Sequence, residues 1–177
     1  MLHWHLLRSM EIVGRLEQVS FCNNSKPTGK YHPGYTVTQN QRSLKSLARA
    51  ISFSKDKFSL ILLRCNCEDW QQETLEFLHQ EQGIETQTLK LPESTENLCN
   101  YIELHCENNN PAALIILGLE TVTNLDEFLV SLNQTRNEFS HKFSFPLILW
   151  VNDEILQKMV RLAPDFHSWA GIPISLT

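Results

Sequence analysis

The sequence predicts a three-layer α/β/α sandwich with a mostly parallel sheet. Three segments are apolar throughout: Phe58–Leu63, the segment that opens at Pro111 ("PAALIILGLE"), and Phe145–Val151. Strands without polar alternation are buried on both faces, which occurs mostly in parallel sheets covered by crossover helices. Segments with helical spacing separate these strands, so the chain is predicted to be a helix followed by repeated β–α units.

The first half of this pattern begins with a helix over residues 41–53, whose apolar stripe is Leu44, Leu47, Ala48 and Ile51. Phe58–Leu63 follows as the first strand, and residues 69–82 are predicted to form a helix that Gly83 ends. Thr86–Leu91 is a short alternating strand. Ser94 or Thr95 is predicted to cap the next helix, whose stripe is Leu98, Tyr101, Ile102 and His105.

The second half repeats the alternation. Asn124 is predicted to cap a helix through Lys142, with Leu125, Phe128, Leu129, Leu132 and Phe139 facing inward. Asn152 or Asp153 is predicted to cap a last helix to about Ala163, which Pro164 ends. "IPISL" is predicted to be a final strand, and Phe166 and Trp169 an aromatic-anchored turn at the sheet edge that Trp150 joins.

The residues before this domain have a different character. Residues 22–40 are turn-rich and aperiodic, with two prolines and two glycines, which indicates a loop or linker. Residues 1–20 have the pattern of a short amphipathic helix. We therefore assign residues 1–40 to an N-terminal extension and linker, and residues 41–177 to the domain.

Composition excludes several classes of function. The net charge of −5 gives no electrostatic reason to expect nucleic acid or anionic lipid as a partner. The N-terminal apolar stretch is interrupted by charged residues and histidines, and no apolar run could span a bilayer. These features favour a cytoplasmic protein without a membrane partner, and five cysteines in a chain with a sizeable core favour reduced thiols.

The junction after the first strand has no phosphate-binding loop. A Walker A loop needs two glycines, a lysine and a hydroxyl side chain, whereas "RCNCEDW" contains no glycine. The pair Gly29–Lys30 is followed by Tyr31 and does not lie between a strand and a helix. Tight binding of a nucleoside triphosphate therefore has no identifiable source in the sequence.

Polar residues at the ends of the apolar strands are the candidate site. Glu120 has the position of the acid that holds magnesium or activates water in P-loop hydrolases, or it is a solvated residue that opens a loop. Asn152 has the position of a residue that senses the terminal phosphate, or it caps the following helix, which we favour. Arg64 and Asn66 are further candidates for nucleotide binding at this edge.

Cysteine and histidine give no metal site. The spacing of Cys65 and Cys67 is too short for a zinc knuckle, and Cys99 and Cys106 lie seven apart on one helical face, as buried apolar residues do. A thiol at a helix N-terminus has a lowered pKa, so Cys65 or Cys67 is a candidate nucleophile, with His141 or His167 as a spatial partner. We predict no metal ligands.

Together these segments resemble a known domain. The stretches "FSLILLRCN", "AALIILGLETV" and "FPLILWVNDEILQKMVRLAPDFHSWA" are similar to the AAA-like or P-loop-like N-terminal domain of large, mostly cyanobacterial, proteins. In those proteins the domain precedes tetratricopeptide or WD40 repeats. The similarity covers roughly residues 41–177, and its C-terminal end is the most specific part.

The resemblance implies a P-loop NTPase-like sheet and protein partners or downstream repeat domains. It assigns Phe58–Leu63 to the strand before the phosphate loop, Leu114–Glu120 to the acid-bearing strand, and Leu147–Asn152 to the sensor strand. The Walker A loop is degenerate, so we expect a non-catalytic interaction or signalling module without a cofactor. The alternative is a divergent ATP-binding protein or weak NTPase that uses ATP and magnesium.

Overall fold

The computed structural model describes residues 33–67, 69–106 and 110–177, with side chains from residue 38 onward. The amphipathic helix predicted within residues 1–20, and the part of the predicted loop that precedes residue 33, lie outside the described residues. The rest of the chain alternates helices and strands as the apolar segments predict.

The helices are α1 (Pro33–Phe53), α2 (Trp70–Glu76), α3 (Leu98–Cys106), α4 (Leu125–Lys142), α5 (Asp153–Leu162) and α6 (Pro164–Trp169). The strands are β1 (Ser59–Cys65), β2 (Thr86–Lys90), β3 (Ala113–Leu117), β4 (Pro146–Val151) and β5 (Ile174–Leu176). Helix α2 continues as a π-helical turn (Phe77–Glu81), and a 3-10 turn (Leu119–Thr121) follows β3.

The strands of the described residues form one parallel sheet in the order β2-β3-β4-β1-β5. The first strand is inserted between β4 and β5, which is a P-loop NTPase-like order. The longest pairing joins Ser59–Arg64 of β1 to Pro146–Val151 of β4. The predicted fold class is confirmed, and the strands that carry the candidate residues end at one edge of the sheet, which we call the carboxyl edge.

Each face of the sheet has its own core, because successive strand residues point to opposite sides. Helices α3–α6 cover one face, where buried residues include Leu62, Ile116, Leu149, Phe128, Phe139 and Phe166. Helices α1 and α2 and the π-helical turn cover the other face. The buried residues of this second core include Leu47, Leu78, Ile115, Ile148 and Trp150. The sheet and the helices on both faces make the three layers.

Helix α1 begins at Pro33, so the loop predicted for residues 33–40 is wrong. Proline is favoured at the first helical position, where a missing N–H costs no hydrogen bond. Asn40 is buried and accepts a hydrogen bond from the Thr177 N–H (3.0 Å) while it donates to the Thr177 carbonyl (2.6 Å). The assignment of the domain to residues 41–177 otherwise stays a prediction.

Two boundaries depend on contacts that the local sequence does not show. Strand β1 continues to Cys65, because Arg64 and Cys65 pair with β5. Neither Ser94 nor Thr95 caps α3; the Asn97 side chain does so by accepting a hydrogen bond from the Asn100 N–H (2.9 Å). The predicted stop at Gly83 is confirmed, with a left-handed φ of 64°.

The aromatic turn after Pro164 is the short helix α6. The Phe166 ring packs on Phe139 with a centroid distance of 5.3 Å, and the Trp169 ring lies 6.1 Å from Phe58. Trp150 does not join this cluster, because it is one residue after Leu149 in β4 and therefore lies on the opposite face. The predicted final strand is confirmed as β5.

Candidate functional site

The ends of β1 and β4 place three of the four candidate residues together at the carboxyl edge. β1 and β4 are neighbours, and Arg64 pairs in register with Val151. Asn66 therefore follows β1 beside the point where Asn152 and Asp153 begin α5. In open α/β sheets, ligands bind outside the carboxyl ends of strands such as these.

Asp153 is the centre of a hydrogen-bonded network at this position. The Arg64 guanidinium donates to Asp153 Oδ1 and forms an ion pair with it. The Asn66 side chain donates to Asp153 Oδ2 (3.0 Å) and accepts from the Asp153 N–H (3.0 Å). We call Arg64, Asn66 and Asp153 the edge network; it joins the end of β1 to the start of α5.

The hydrogen bonds of the edge network stabilise the ionised forms of Asp153 and Arg64. The hydrogen bond from Arg64, with a further one from Asn66, lowers the pKa of the Asp153 carboxyl. The hydrogen bond to Asp153 raises the pKa of the Arg64 guanidinium. The guanidinium is thus paired with a carboxylate of the same chain, at a place where nucleotide binding would require it to meet a phosphate.

Asn152 caps α5, as favoured from the sequence. Its Oδ1 accepts a hydrogen bond from the Ile155 N–H (2.8 Å), and its backbone is extended, as at an ordinary N-cap. Asn124, the other predicted cap, occupies the N-cap position of α4 without a side-chain hydrogen bond. The amide oxygen of Asn152 is therefore engaged within the domain.

Glu120 is exposed in the 3-10 turn that follows β3. The turn begins after Gly118, whose φ is 83°. An added Cβ at Gly118 would lie 3.3 Å from the Leu91 carbonyl oxygen, so glycine allows the β2 and β3 loops to approach closely. Glu120 shares the carboxyl edge with the edge network, but β4 lies between β3 and β1.

The segment after β1 makes no cradle for phosphate in the part that the structure describes. Helix α2 begins at Trp70 and is only seven residues long before its π-helical turn. Its N-cap residue is Asp69 and its first turn contains Glu73. Carboxylates there stabilise the helix dipole, and they also repel a polyphosphate.

The candidate nucleophiles are not activated. Burial raises the pKa of the Cys65 thiol to about 11, so Cys65 is protonated at neutral pH. Cys67 is disulfide-bonded, and the prediction of reduced thiols is wrong for this residue, whereas Cys65, Cys99 and Cys106 are free. The proposed partner His141 lies in the last turn of α4, at the opposite edge of the sheet.

The described residues give two further results. Among them, no group of three or more His, Cys, Asp or Glu side chains is arranged to hold a metal ion. None of the helices formed by those residues is long and apolar enough to cross a bilayer.

Comparison with solved structures finds four matching chains. The structure is similar to the ADP form of the ORC2 protein of Aeropyrum pernix, with 12% sequence identity and a TM-score of 0.38. The similarity covers 92% of this chain and 51% of the other, so the chain spans about half the length of that protein. No protein family matches the chain, and no curated protein does.

Sequence reasoning missed Asp153 as a site residue. It considered Asp153 only as a cap of the last helix, whereas the structure makes it the partner of Arg64 and Asn66. The sequence does contain a feature that could have indicated this contact. A cation, Arg64, and an acid, Asp153, follow two of the apolar strands at their carboxyl ends. Only the adjacency of β1 and β4, which lie far apart in the sequence, turns that feature into a contact.

Proposed function

We propose that this domain is a non-catalytic, P-loop-derived interaction module of a multidomain or multiprotein assembly. The observation that carries the proposal is the edge network. It occupies the end of the strand where a P-loop protein binds phosphate, and it uses Arg64 and Asn66 to bind Asp153 instead.

The charges at the carboxyl edge disfavour the binding of a nucleotide. A triphosphate at this edge would meet the Asp153 carboxylate, with the Arg64 charge already paired. Asp69 and Glu73 add negative charge at the start of α2, where phosphate-binding proteins present free backbone N–H groups. Breaking the edge network would also leave Asn66 and Asp153 to find new partners, so binding would cost additional free energy.

Three large apolar side chains are exposed on separate elements of the domain. Phe53 is 86% exposed, Leu104 is 70% exposed and Ile172 is 96% exposed. Such side chains contribute to interfaces when a partner covers them. The resemblance to domains that precede tetratricopeptide or WD40 repeats adds support for a partner of this kind, either a repeat domain of the same chain or another protein.

A thermal-shift titration with Mg-ATP tests the proposal. A ligand that binds only the folded state raises the protein's free energy of unfolding by RT ln(1 + [L]/Kd), where [L] is the ligand concentration. We expect no change in Tm at millimolar Mg-ATP. A concentration-dependent rise in Tm would contradict the proposal and support a divergent ATP-binding protein.

An activity assay decides the remaining alternative, a weak NTPase. Glu120→Gln is compared with Glu93→Gln, which removes a carboxylate from the loop after β2 at the same edge. We expect no ATP hydrolysis in the wild type or either variant. Hydrolysis that Glu120→Gln abolishes and Glu93→Gln preserves would overturn the proposal and assign Glu120 the role of the acid.

A further inference from the structure

Helix α1 has a row of cations on its exposed side. Arg42, Lys45 and Arg49 are spaced by three and four residues and are all exposed, so they share one side of the helix. Phe53 follows Arg49 by four residues on the same side and is 86% exposed. The opposite side of the helix packs into the core through buried apolar residues, Leu44, Leu47, Ala48 and Ile51. We call Arg42, Lys45 and Arg49 the basic stripe.

The basic stripe has no acid on its own helix. Residues 33–55 contain four cations, of which the fourth is Lys55, and neither Asp nor Glu. The ion pairs that the described residues form lie elsewhere in the domain, and none of them includes a cation of α1. The stripe is therefore a positive surface on a chain whose net charge is −5.

The neighbouring helix on the same face of the sheet has the opposite charge. Residues 69–89, which include α2 and its π-helical turn, contain five acids and neither Lys nor Arg. The turn ends at Glu81, and Glu85 precedes β2; both side chains are exposed. We call Glu81 and Glu85 the acidic patch. Helix α1 is in contact with the π-helical turn, so surfaces of opposite charge lie side by side.

The two helices run in the same direction across this face. Helix α1 starts near Thr177, the residue after β5, because Asn40 is hydrogen-bonded to it, and residues 54–58 lead from its end to the start of β1. Helix α2 follows the end of β1, and its π-helical turn leads to the start of β2. Both helices therefore run from the carboxyl edge to the opposite edge, where Phe53 and the acidic patch lie.

We propose that two copies of this chain associate through this face, with the basic stripe of each copy against the acidic patch of the other. A two-fold axis that runs parallel to α1, between α1 and the π-helical turn, places α1 of one copy over the turn of its partner, twice. Two-fold symmetric contacts of this kind are the commonest in homo-oligomers. The same rotation covers Phe53, and aromatic side chains are enriched at the centres of interfaces.

Complementary charge selects this arrangement over the alternatives. A two-fold axis perpendicular to the helices stacks the two basic stripes on each other, and like charges in contact are unfavourable. The net charge of −5 on each copy does not prevent association, because physiological salt screens charges separated by more than about 8 Å.

The size of the basic stripe favours a second copy over nucleic acid. The stripe spans about 10 Å from Arg42 to Arg49, at 1.5 Å per helical residue. A long polyanion that lay on it would continue past its ends and over the acids of residues 69–89, where like charges repel. A second copy instead brings a compact acidic surface to the stripe and a basic surface to the acids.

The dimer supplies a partner for the interaction module proposed above, so the inference rests on the proposed function. The two can fail separately, because a titration with Mg-ATP measures nucleotide binding, whereas sedimentation measures self-association.

Analytical ultracentrifugation of the full chain tests the association. We expect the mass at low salt to rise with protein concentration from that of one chain to that of two, and high salt to raise the dissociation constant at least tenfold. A chain that stays monomeric at low salt would overturn the proposal. A monomeric chain whose basic stripe binds a labelled DNA duplex would likewise overturn it, in favour of nucleic acid.

A charge swap tests which surfaces meet. The double variant Lys45→Glu, Arg49→Glu makes the face of each copy acidic, whereas Glu81→Lys, Glu85→Lys makes it basic. We expect each double variant alone to dimerise at least tenfold more weakly than the wild type, because like charges then face each other. An equimolar mixture of the two should form a one-to-one heterodimer, because each surface then meets the opposite charge.

The control is the double variant Lys90→Glu, Arg161→Glu. It changes the net charge by as much as Lys45→Glu, Arg49→Glu does, but on β2 and α5, and we expect it to keep the wild-type dissociation constant. Circular dichroism checks that every variant is folded. An equal loss of the dimer in the control, or a mixture of the two charge-swap variants that stays monomeric, would overturn the proposal.

Discussion

At the scale of single residues, Asp153 accepts hydrogen bonds from both Arg64 and Asn66, while its N–H donates to Asn66. Both ionised side chains of the pair are 43% exposed. An exposed pair of this kind contributes up to about 1 kcal/mol, because solvent screens the charges. The edge network therefore positions the end of β1 more than it stabilises the domain.

We expect Asp153→Asn to change how stability depends on pH. The pKa of the Asp153 carboxyl is lowered in the folded state, so its contribution is present above the unfolded pKa. The contribution is lost as the pH falls through the folded pKa. Urea denaturation from about pH 5 to about pH 2 should show the wild type losing more unfolding free energy than the variant.

The control for this prediction is Asp126→Asn, which removes a more exposed carboxylate from its pair with Lys158. At neutral pH we expect Asp153→Asn to cost about 0.5–1 kcal/mol and the control less. Parallel pH curves for Asp153→Asn and the wild type would contradict this assignment of the pKa shift.

Gly118 is the second residue whose identity the structure explains. Its φ is 83°, and a Cβ would lie 3.3 Å from the Leu91 carbonyl oxygen. We expect Gly118→Ala to lower the free energy of unfolding by about 1–2 kcal/mol or more. Gly171→Ala is the matched control, since nothing lies within 4 Å of its added Cβ; an equal loss in both variants would rule out this explanation.

At the scale of elements, capping can be tested because α4 and α5 both begin after an asparagine. The Asn152 side chain caps α5, whereas Asn124 makes no side-chain cap hydrogen bond to α4. We expect Asn152→Ala to cost about 1 kcal/mol and Asn124→Ala clearly less, measured by chemical denaturation. Asn152→Asp should retain most of the stability, and equal losses in the two alanine variants would refute the role of the side chain.

Buried strands and amphipathic helices could be predicted because their patterns are local. The apolar runs of β3 and β4 need no partner to be recognised, and the inward side chains of α4 follow from spacing alone. The start of α1 could not be predicted, because residues 33–40 have no apolar periodicity. The hydrogen bonds that join Asn40 to Thr177 cross 137 residues of sequence.

At the scale of the whole molecule, the two cores share one sheet and should unfold together. Leu149 lies in the core under α3–α6, whereas Trp70 and Trp150 lie in the core under α1 and α2. In a Trp4→Phe, Trp169→Phe background, which leaves Trp70 and Trp150 as the fluorophores, we expect Leu149→Ala to cost about 2–5 kcal/mol and to shift the tryptophan fluorescence and far-ultraviolet circular dichroism transitions equally.

Val160→Ala is the control, because Val160 is 52% exposed in α5 and its truncation should change stability by less than about 0.5 kcal/mol. If Leu149→Ala shifted the circular dichroism transition while the fluorescence transition stayed in place, the two faces of the sheet would be separate folding units.

The fold class, the strand-helix alternation and the missing Walker A loop follow from the order of residues, since periodicity and glycine content are properties of short segments. The strand order and the edge network required the tertiary structure. Asp153 and Arg64 lie 89 residues apart, and nothing near either residue specifies that β1 is inserted between β4 and β5. Local patterns determine which faces are buried, whereas long-range strand pairing determines which polar side chains meet.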